Sequence, residues 1–155
     1  MYKTILVPLD GSERAEAILP HVEPLALTLK SDVVLLYVDG TDNLMLGRDE
    51  VVDINDFLEK RRARIKEKRA YLQNIVDHWR PVGIDARICI GRGSVVAGIL
   101  DMAEQEKADL VAMASHGQSG SKRTFYGSVA VGVLNRIDRP LLLIRSRIVE
   151  PAISA

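Results

Sequence analysis

The stretch Ile5-Leu6-Val7-Pro8-Leu9-Asp10-Gly11-Ser12 decides the class of fold. Its aliphatic half predicts a short buried strand, and the Asp-Gly-Ser that follows predicts a turn into a helix with Ser12 as the N-cap. Residues 15–29 then carry apolar side chains at helical spacing, although Pro20 and Pro24 predict a bend or a break there. A strand that leads directly into a helix is the first half of a β-α-β unit.

The same alternation of strand and helix patterns continues along the chain. Four further aliphatic runs predict strands, at residues 33–38, 84–90, 110–114 and 141–144, and helical periodicity fills the intervals. Strands that are apolar almost throughout are typical of a parallel sheet covered on both faces. We therefore expect an α/β fold with a doubly wound, Rossmann-like, five-stranded parallel sheet in the strand order 3-2-1-4-5.

Length and composition indicate one domain. The chain has 155 residues, of which 47% are hydrophobic and 27% charged, as is typical of a globular domain. We expect the domain to span residues 1–147, residues 148–155 to form a loose tail, and residues 39–53 to form a loop without regular periodicity. No apolar run approaches the roughly 20 residues of a membrane span, and the N-terminal run is too short for a signal peptide. These features predict a cytoplasmic protein with no membrane partner.

Charge and cysteine content disfavour several other classes. Lys+Arg and Asp+Glu both total 21, whereas a dedicated nucleic-acid binder usually carries a basic excess, so nucleic acid is not an expected partner. We expect the one basic run, Lys60 to Arg69, to lie mostly on the solvated face of its helix. Cys89 is the single cysteine, so an internal disulfide is excluded. The three histidines have no metal-ligand spacing, and we predict no metal site made of protein side chains.

Two segments leave strands whose carboxyl ends should meet at one edge of the sheet, where doubly wound folds bind ligands. The first is the turn after Pro8. The second begins at Ala114-Ser115-His116-Gly117 and reaches Gly127-Ser128 at the start of the last helix. Glycines allow close backbone approach, and helix N-termini attract anions. This composition predicts a phosphate-binding loop, with a flexible surface loop as the alternative. It is not a P-loop, because Gly-x-x-x-x-Gly-Lys-Ser/Thr is absent.

The spacing of the second segment resembles the nucleotide motif of the universal stress protein family, Gly-x2-Gly-x9-Gly-Ser/Thr after the fourth strand. Here the motif reads Ala114, Gly117, Gly127 and Ser128, so that alanine stands in place of the first glycine. The resemblance extends from Tyr2 to Arg145, through the opening strand and turn and through the closing Arg139-Pro140-Leu141-Leu142-Leu143-Ile144.

The resemblance implies binding of ATP or AMP, with magnesium carried by the phosphates. The adenine and ribose would be bordered by Pro8, Asp10 and Val38, the last mainly through its main chain. Ala114 would lie against the ribose, and it would cost about 1 kcal/mol if the family's glycine has positive φ. Carried over by position, the nucleotide-binding residues are Pro8, Leu9, Asp10, Val38, Met113, Ala114, His116, Gly117, Gly127, Ser128 and Val129, of which Gly117 and the last three would contact the phosphates.

The implied function is a stress-response or signalling module whose nucleotide state is read by a partner. Two alternatives stay open: slow ATP hydrolysis, and a scaffold that has lost nucleotide binding because of Ala114. A phosphorelay receiver domain is disfavoured, because the first strand ends in the single acid Asp10 and no acid follows the third strand.

The last strand predicts self-association. No later strand exists to cover Pro140 to Ile144, and this stretch is apolar on both faces. Many members of the family that the chain resembles dimerise through this strand. We therefore expect a homodimer built on antiparallel contact between two fifth strands, with coverage of the edge by residues 148–155 as the alternative.

Overall fold

A computed structural model describes residues 1–41, 53–116 and 127–146. Its five strands form one parallel sheet in the order β3-β2-β1-β4-β5, which confirms the predicted doubly wound, Rossmann-like fold. The strands are β1 (Thr4–Pro8), β2 (Asp32–Asp39), β3 (Ala86–Arg92), β4 (Leu110–Ala114) and β5 (Leu141–Ile144).

Helices cover both faces of this sheet. They are α1 (Glu13–Glu16), α2 (Leu19–Leu29), α3 (Ile54–Trp79), α4 (Val95–Gln105) and α5 (Ser128–Arg136), with a 3₁₀ turn at Arg80–Val82. Buried side chains of α1, α2 and α3 pack on one face, and those of α4 and α5 on the other. The chain therefore changes its direction of winding between β1 and β4, which opens a crevice at the carboxyl ends of these two strands.

Successive side chains of β1 point alternately into the two hydrophobic cores, one on each face of the sheet. Ile5 and Val7 point into the core under α2 and α3, whereas Leu6 points into the core under α4 and α5. All three are fully buried, as expected for the central strand of a parallel sheet. Trp79 at the end of α3 is also buried, and its indole N–H donates to Glu23.

The two prolines of the first helical segment have different consequences. The helix breaks after Glu16 and resumes at Leu19, so that Pro20 lies in the first turn of α2, where its missing N–H costs nothing. Pro24 lies within α2 and does not interrupt it. The predicted break therefore occurs just before Pro20 only, and α2 tolerates the loss of one N–H donor at Pro24.

The third strand begins two residues later than predicted. Ile84 is buried, but its main-chain N–H donates to the carbonyl of Trp79 and closes the end of α3. Pairing with β2 starts where Val33 meets Ala86 and continues to Arg92. Ile84 is therefore apolar because it packs in the core, and it is not part of the strand.

Parts of several predictions lie outside the described residues. These are the proposed tail at residues 148–155, most of the proposed loop at residues 39–53, and Gly117 with the rest of the segment up to residue 126. Asp39 does not belong to that loop, because it is the last residue of β2. Within the described ranges, no helix combines the length and the apolar character needed to cross a membrane.

Candidate functional site

A cavity of about 270 Å³ lies at the carboxyl ends of β1 and β4, in the crevice where the winding reverses. Its walls are mostly apolar, with a few polar groups at one end, as is typical of small-molecule sites. It is lined by Pro8, Leu9, Asp10, Ala15, Leu36, Val38, Val95, Ile99, Met113, Ala114, Ser115, His116, Gly127, Ser128, Val129 and Ala130.

The structure brings ten of the eleven predicted site residues to this one cavity, and the eleventh, Gly117, lies outside the described residues. Six other residues line the cavity without having been predicted from the sequence: Ala15, Leu36, Val95, Ile99, Ser115 and Ala130. Five of them carry the apolar periodicity that also marks ordinary core positions, so no sequence signal separates their two roles. Ser115 could have been selected, because it lies inside the loop motif.

The apolar end of the cavity lies between the end of β2 and helix α4. Val38 contributes there, opposite Val95 and Ile99. The main-chain N–H of Leu9 donates to the carbonyl of Leu36 at 2.8 Å, and after this bond the two strands separate. Since alternate residues of a strand direct their main-chain groups to the same side, the N–H and C=O of Val38 point toward the side that β1 has left.

The polar end of the cavity is formed by the beginning of α5. Gly127 is the N-cap residue, and its N–H donates to the carbonyl of Ser115 at 2.8 Å. A Cβ added at Gly127 would lie 3.1 Å from that same carbonyl oxygen, so a larger residue would have to push the two segments apart. The first-turn amides of Ser128 and Val129 have no acceptor within the helix, and such helix N-termini favour anions.

Three buried polar side chains meet beside this end. Ser115 and His116 follow β4, Ser146 follows β5, and all three are less than 9% exposed. The Ser115 hydroxyl oxygen lies 3.0 Å from Nδ1 of His116 and accepts a longer, 3.4 Å bond from the Ser146 N–H. The Ser146 hydroxyl donates to the carbonyl of Arg14 at 2.9 Å. These bonds connect the ends of β4 and β5 to α1.

Ala114 adopts an ordinary strand conformation. It is the last residue of β4 and pairs with Ile144 in β5. The non-glycine residues with positive φ in the described chain are Tyr2, Lys30 and Lys107. The possible strain of about 1 kcal/mol at Ala114 is therefore absent, and the residue adds only a methyl group to the wall of the cavity.

The turn after β1 is stabilised by hydrogen bonds within the turn and by a lysine from α3. Oδ1 of Asp10 accepts from the N–H and the hydroxyl of Ser12, at 2.9 and 2.6 Å, and the Ser12 hydroxyl in turn accepts from Ala15 N–H. Ser12 is thus the predicted N-cap, and Asp10 shapes the turn besides lining the cavity. From α3, Nζ of Lys68 donates to the main-chain carbonyl of Asp10 at 2.9 Å and lies 5.5 Å from the centroid of the Tyr37 ring.

Most of the basic run on α3 is exposed, as expected, but Lys68 and two arginines face the end of the sheet. The Asp39 carboxylate, fully buried at the end of β2, accepts from Nε and Nη2 of Arg64 at 3.2 and 3.0 Å. Arg61 lies 3.5 Å from the same carboxylate, and Thr41 donates to it at 3.0 Å. A buried carboxylate requires such partners, and the sequence did not show that Asp39 is buried.

This pairing controls the ionisation of Asp39. Burial raises the pKa of its carboxyl, but the hydrogen bonds from Arg64 and Thr41 outweigh that effect, and the net pKa lies below the ordinary 3.8. The same contacts raise the pKa of Arg64, chiefly through its hydrogen bonds to Asp39. Asp39 therefore remains a carboxylate at neutral pH and attaches α3 to the sheet.

Metal binding by side chains alone has no support in the part of the chain that the structure describes. No group of three or more His, Cys, Asp or Glu residues there is arranged to hold an ion. Cys89 is half-buried. The pKa of its thiol is raised, mainly by burial and to a smaller extent by the negative charge of Glu106.

Known proteins are similar to this chain in both sequence and fold. A sequence profile of the Universal stress protein family matches residues 1–145. Universal stress protein MJ0577 of Methanocaldococcus jannaschii is 31% identical over 160 residues, which cover 95% of this chain and 97% of that protein. The solved structure of hypothetical protein MJ0577 superposes with a TM-score of 0.81 at 30% identity, over 97% of this chain and 99% of that one.

A universal stress protein solved in complex with cAMP superposes with a TM-score of 0.60, over 94% of this chain and 98% of that one. At 18% identity this similarity shows the fold alone. The profile match and the 31% identical relative each extend over nearly the whole chain. The chain therefore belongs to the universal stress protein family.

Proposed function

We propose that this chain binds an adenine nucleotide, ATP or AMP, in the cavity between β1 and β4, and that it acts in the cytoplasm as a stress-response or signalling module. One observation carries the proposal. A mostly apolar cavity at the topological switch point ends against the first turn of α5, beside a glycine whose added Cβ would lie 3.1 Å from the Ser115 carbonyl. Such a cavity suits a ligand with an apolar ring at one end and an anion at the other.

The apolar end suits the base. An adenine ring between Val38, Val95 and Ile99 would bury its faces against aliphatic side chains. The main-chain groups of Val38 on the side vacated by β1 offer one donor and one acceptor, which match the donor and acceptor pattern along one edge of adenine. Main-chain recognition of this kind requires the strand and not a particular side chain, which explains why a valine suffices.

The polar end suits the phosphates. The cavity volume of about 270 Å³ is near the low end for small-molecule sites, roughly 300 Å³. Base and ribose would therefore fill most of it, and the phosphates would extend along Gly127 toward the amides of Ser128 and Val129. The hydroxyl of Ser128 adds a further donor at the start of the helix. Magnesium, if it takes part, would be carried by the phosphates.

Two relationships with known proteins support the proposal. The chain belongs to the universal stress protein family, and one member with the same fold was solved in complex with cAMP, an adenine nucleotide. A ligand of this class in that protein agrees with a cavity of this shape here.

Isothermal calorimetry of the purified chain with ATP, ADP, AMP and GTP, with and without magnesium, tests the proposal. We expect dissociation constants between low micromolar and millimolar for the adenine nucleotides, about −8 to −4 kcal/mol, and weaker binding of GTP. Mass spectrometry of ligand released from denatured protein identifies what the chain carries from the cell. No heat with any nucleotide at millimolar concentration would contradict the proposal and favour a scaffold without nucleotide.

The same preparation tests slow ATP hydrolysis. Asp10 and His116 are the titratable side chains among the described residues that line the cavity, and one carboxylate oxygen of Asp10 already shapes the turn. We therefore expect bound ATP to persist. Stoichiometric conversion of ATP to ADP over hours, abolished by His116→Gln, would show instead that the chain is an ATPase.

A further inference from the structure

We propose that two glycines outside the cavity, Gly98 and Gly40, are positioning residues that set the width of its apolar end, and that this width gives the chain a preference for purine over pyrimidine nucleotides. The inference rests on the proposed function and deepens it, because it assigns the selection of the base to the packing of β2 against α4. Neither glycine lines the cavity, and each acts through a valine of the other element that does.

The first contact joins Val38 of β2 to Gly98 of α4. A Cβ added at Gly98 would lie 2.8 Å from Cγ1 and 3.1 Å from Cγ2 of Val38, whereas carbon atoms in contact are about 3.5–4.0 Å apart. Val38 also packs on Gly91, its partner in β3, where an added Cβ would lie 3.2 Å from Cγ2. Val38 is thus enclosed by two glycines, and its β-branched side chain has few rotamers with which to avoid an added methyl group.

The second contact is the reciprocal of the first. Gly40 follows the last residue of β2, and a Cβ added there would lie 3.1 Å from Cγ2 of Val95 in the first turn of α4. Each element therefore places a valine against a glycine of the other. Because Val38 and Val95 both line the cavity, the separation of β2 from α4 is also the width of the apolar end.

The backbone of α4 does not require a glycine at residue 98. Gly98 is the fourth residue of the helix, its N–H donates to the carbonyl of Ser94 at 2.8 Å, and it is not among the glycines with positive φ. Glycine in a helix interior is destabilising relative to alanine. An isolated glycine in such a position indicates a packing requirement, and the contact with Val38 supplies one.

The width of the apolar end matters because a base would be held between aliphatic walls. A gap of about 0.5–1 Å forfeits roughly a quarter to a half of the dispersion attraction at each contact. A purine has a larger face than a pyrimidine, so it makes more of these contacts and loses more when the walls separate. The main-chain donor and acceptor of Val38 would suit one edge of cytosine as well as adenine, and the fit of the ring between the walls therefore distinguishes the two bases.

Calorimetry with ATP, adenosine and CTP tests the inference through a double-mutant cycle. We expect the wild-type chain to bind ATP more tightly than CTP, and Gly98→Ala to weaken ATP and adenosine by the same factor, about fivefold or more, with CTP changed by less than about twofold. In the Val38→Ala background, Gly98→Ala should cause no further loss, because the Cγ atoms that it would displace are gone.

Two further variants make the test decisive. Asp101→Ala, at an exposed position of α4, controls for a change in helix propensity and should bind ATP like the wild type. If circular dichroism shows that Gly98→Ala does not fold, Gly40→Ala, alone and with Val95→Ala, provides the same cycle at the reciprocal contact.

Unchanged ATP affinity in the folded glycine variant, or equal losses of ATP and CTP, would overturn the role of the two glycines while leaving nucleotide binding intact. A wild-type chain that binds no nucleotide would instead overturn the proposed function, so the two failures are distinguished by the wild type alone.

Discussion

The main-chain N–H of Gly127 donates a 2.8 Å hydrogen bond to the carbonyl oxygen of Ser115. This bond brings the start of α5 against the end of β4, although eleven residues separate the two in sequence. It leaves room for no side chain at Gly127 without displacement. The glycine is needed for this close approach and not for its φ, which is −69°.

We expect Gly127→Val to weaken ATP binding by about tenfold or more, because the branched side chain separates α5 from β4 and moves the anion-binding amides. Ser128→Ala removes one hydroxyl donor, which corresponds to about 0.5–1.5 kcal/mol. Val131→Ala on an exposed position of the same helix is the control, with no expected change. Calorimetry measures affinity, and circular dichroism verifies the fold. If both site variants bind ATP like the wild type, the phosphates lie elsewhere.

Ala114→Gly restores the glycine of the family motif and asks whether alanine limits binding. Because Ala114 is extended and paired in β4, glycine relieves no strain there, removes a buried methyl group and makes the unfolded chain more flexible. We expect ATP affinity within about threefold of the wild type, with stability lowered by about 0.5–1 kcal/mol. A large gain in affinity would show that the alanine methyl group obstructs the ribose.

Asp39→Asn should destabilise the chain in a manner that depends on pH. The variant loses the charge that compensates Arg64 in a buried position, which we expect to cost about 2 kcal/mol at neutral pH. The pKa of Asp39 is lower in the folded chain than its ordinary 3.8, so its contribution is present above about pH 4 and is lost as the pH falls through the folded value.

Urea unfolding from about pH 7 to pH 2.5 measures this effect. The difference in the free energy of unfolding between the wild type and Asp39→Asn should shrink as the pH falls, because both then carry a neutral side chain at residue 39. Asp56→Asn, which removes the exposed ion pair with Lys60 on the same helix, is the control and should change little. A gap that stays constant with pH would show that the ionisation of Asp39 contributes nothing.

Lys68→Met should affect both stability and binding. The ammonium group donates to the Asp10 carbonyl and lies over the Tyr37 ring, so its loss should cost about 1 kcal/mol and loosen the turn that lines the cavity. Lys66→Met, two residues earlier on the exposed side of α3, is the matched control. Thermal melts and calorimetry with AMP provide the two readouts. Identical behaviour of the two variants would exclude a role for Lys68 in holding the turn.

The homodimer proposed at β5 can be tested through the direction of its main-chain groups. The carbonyls of Pro140 and Ile144 accept hydrogen bonds from β4, so the main chain of Leu142 faces β4 as well, because alternate residues share a side. Leu143 therefore directs its N–H and C=O to the edge of β5 that faces away from β4. Proline at residue 142 would remove a main-chain N–H that faces β4 and would therefore destabilise the subunit. Proline at residue 143 removes an N–H only from the edge proposed to form the dimer, so residue 143 is the position that tests the dimer.

We expect sedimentation of the wild-type chain at micromolar concentration to give a dimer and Leu143→Pro to give a folded monomer. Leu142→Pro is the comparison, with lowered stability expected in addition. A wild-type monomer at that concentration would contradict a dimer through β5. A Leu143→Pro variant that stays dimeric would place the interface on another surface.

Local patterns in the sequence were sufficient for the fold, and the resemblance to a known family supplied the residues expected at the site. Continuous aliphatic strands, helical periodicity and the turn at Asp10 predict a doubly wound sheet, because each of these signals is encoded within a few neighbouring residues. The loop motif and the turn after β1 then indicate the switch point. Local patterns also explain why Ile84 is wrongly predicted to begin the third strand. A buried isoleucine gives the same apolar pattern whether it lies in a strand or next to one.

The tertiary structure alone decided which polar groups are partners. Lys68 contacts the carbonyl of Asp10 across 58 residues of sequence, Arg64 contacts Asp39 across 25, and Ser146 contacts Ser115 across 31. A charged or hydroxyl side chain carries no local sign of whether it will be buried. Its partner is set by how the helices and strand ends pack together, and that packing turns part of a basic run into the support for one end of the sheet.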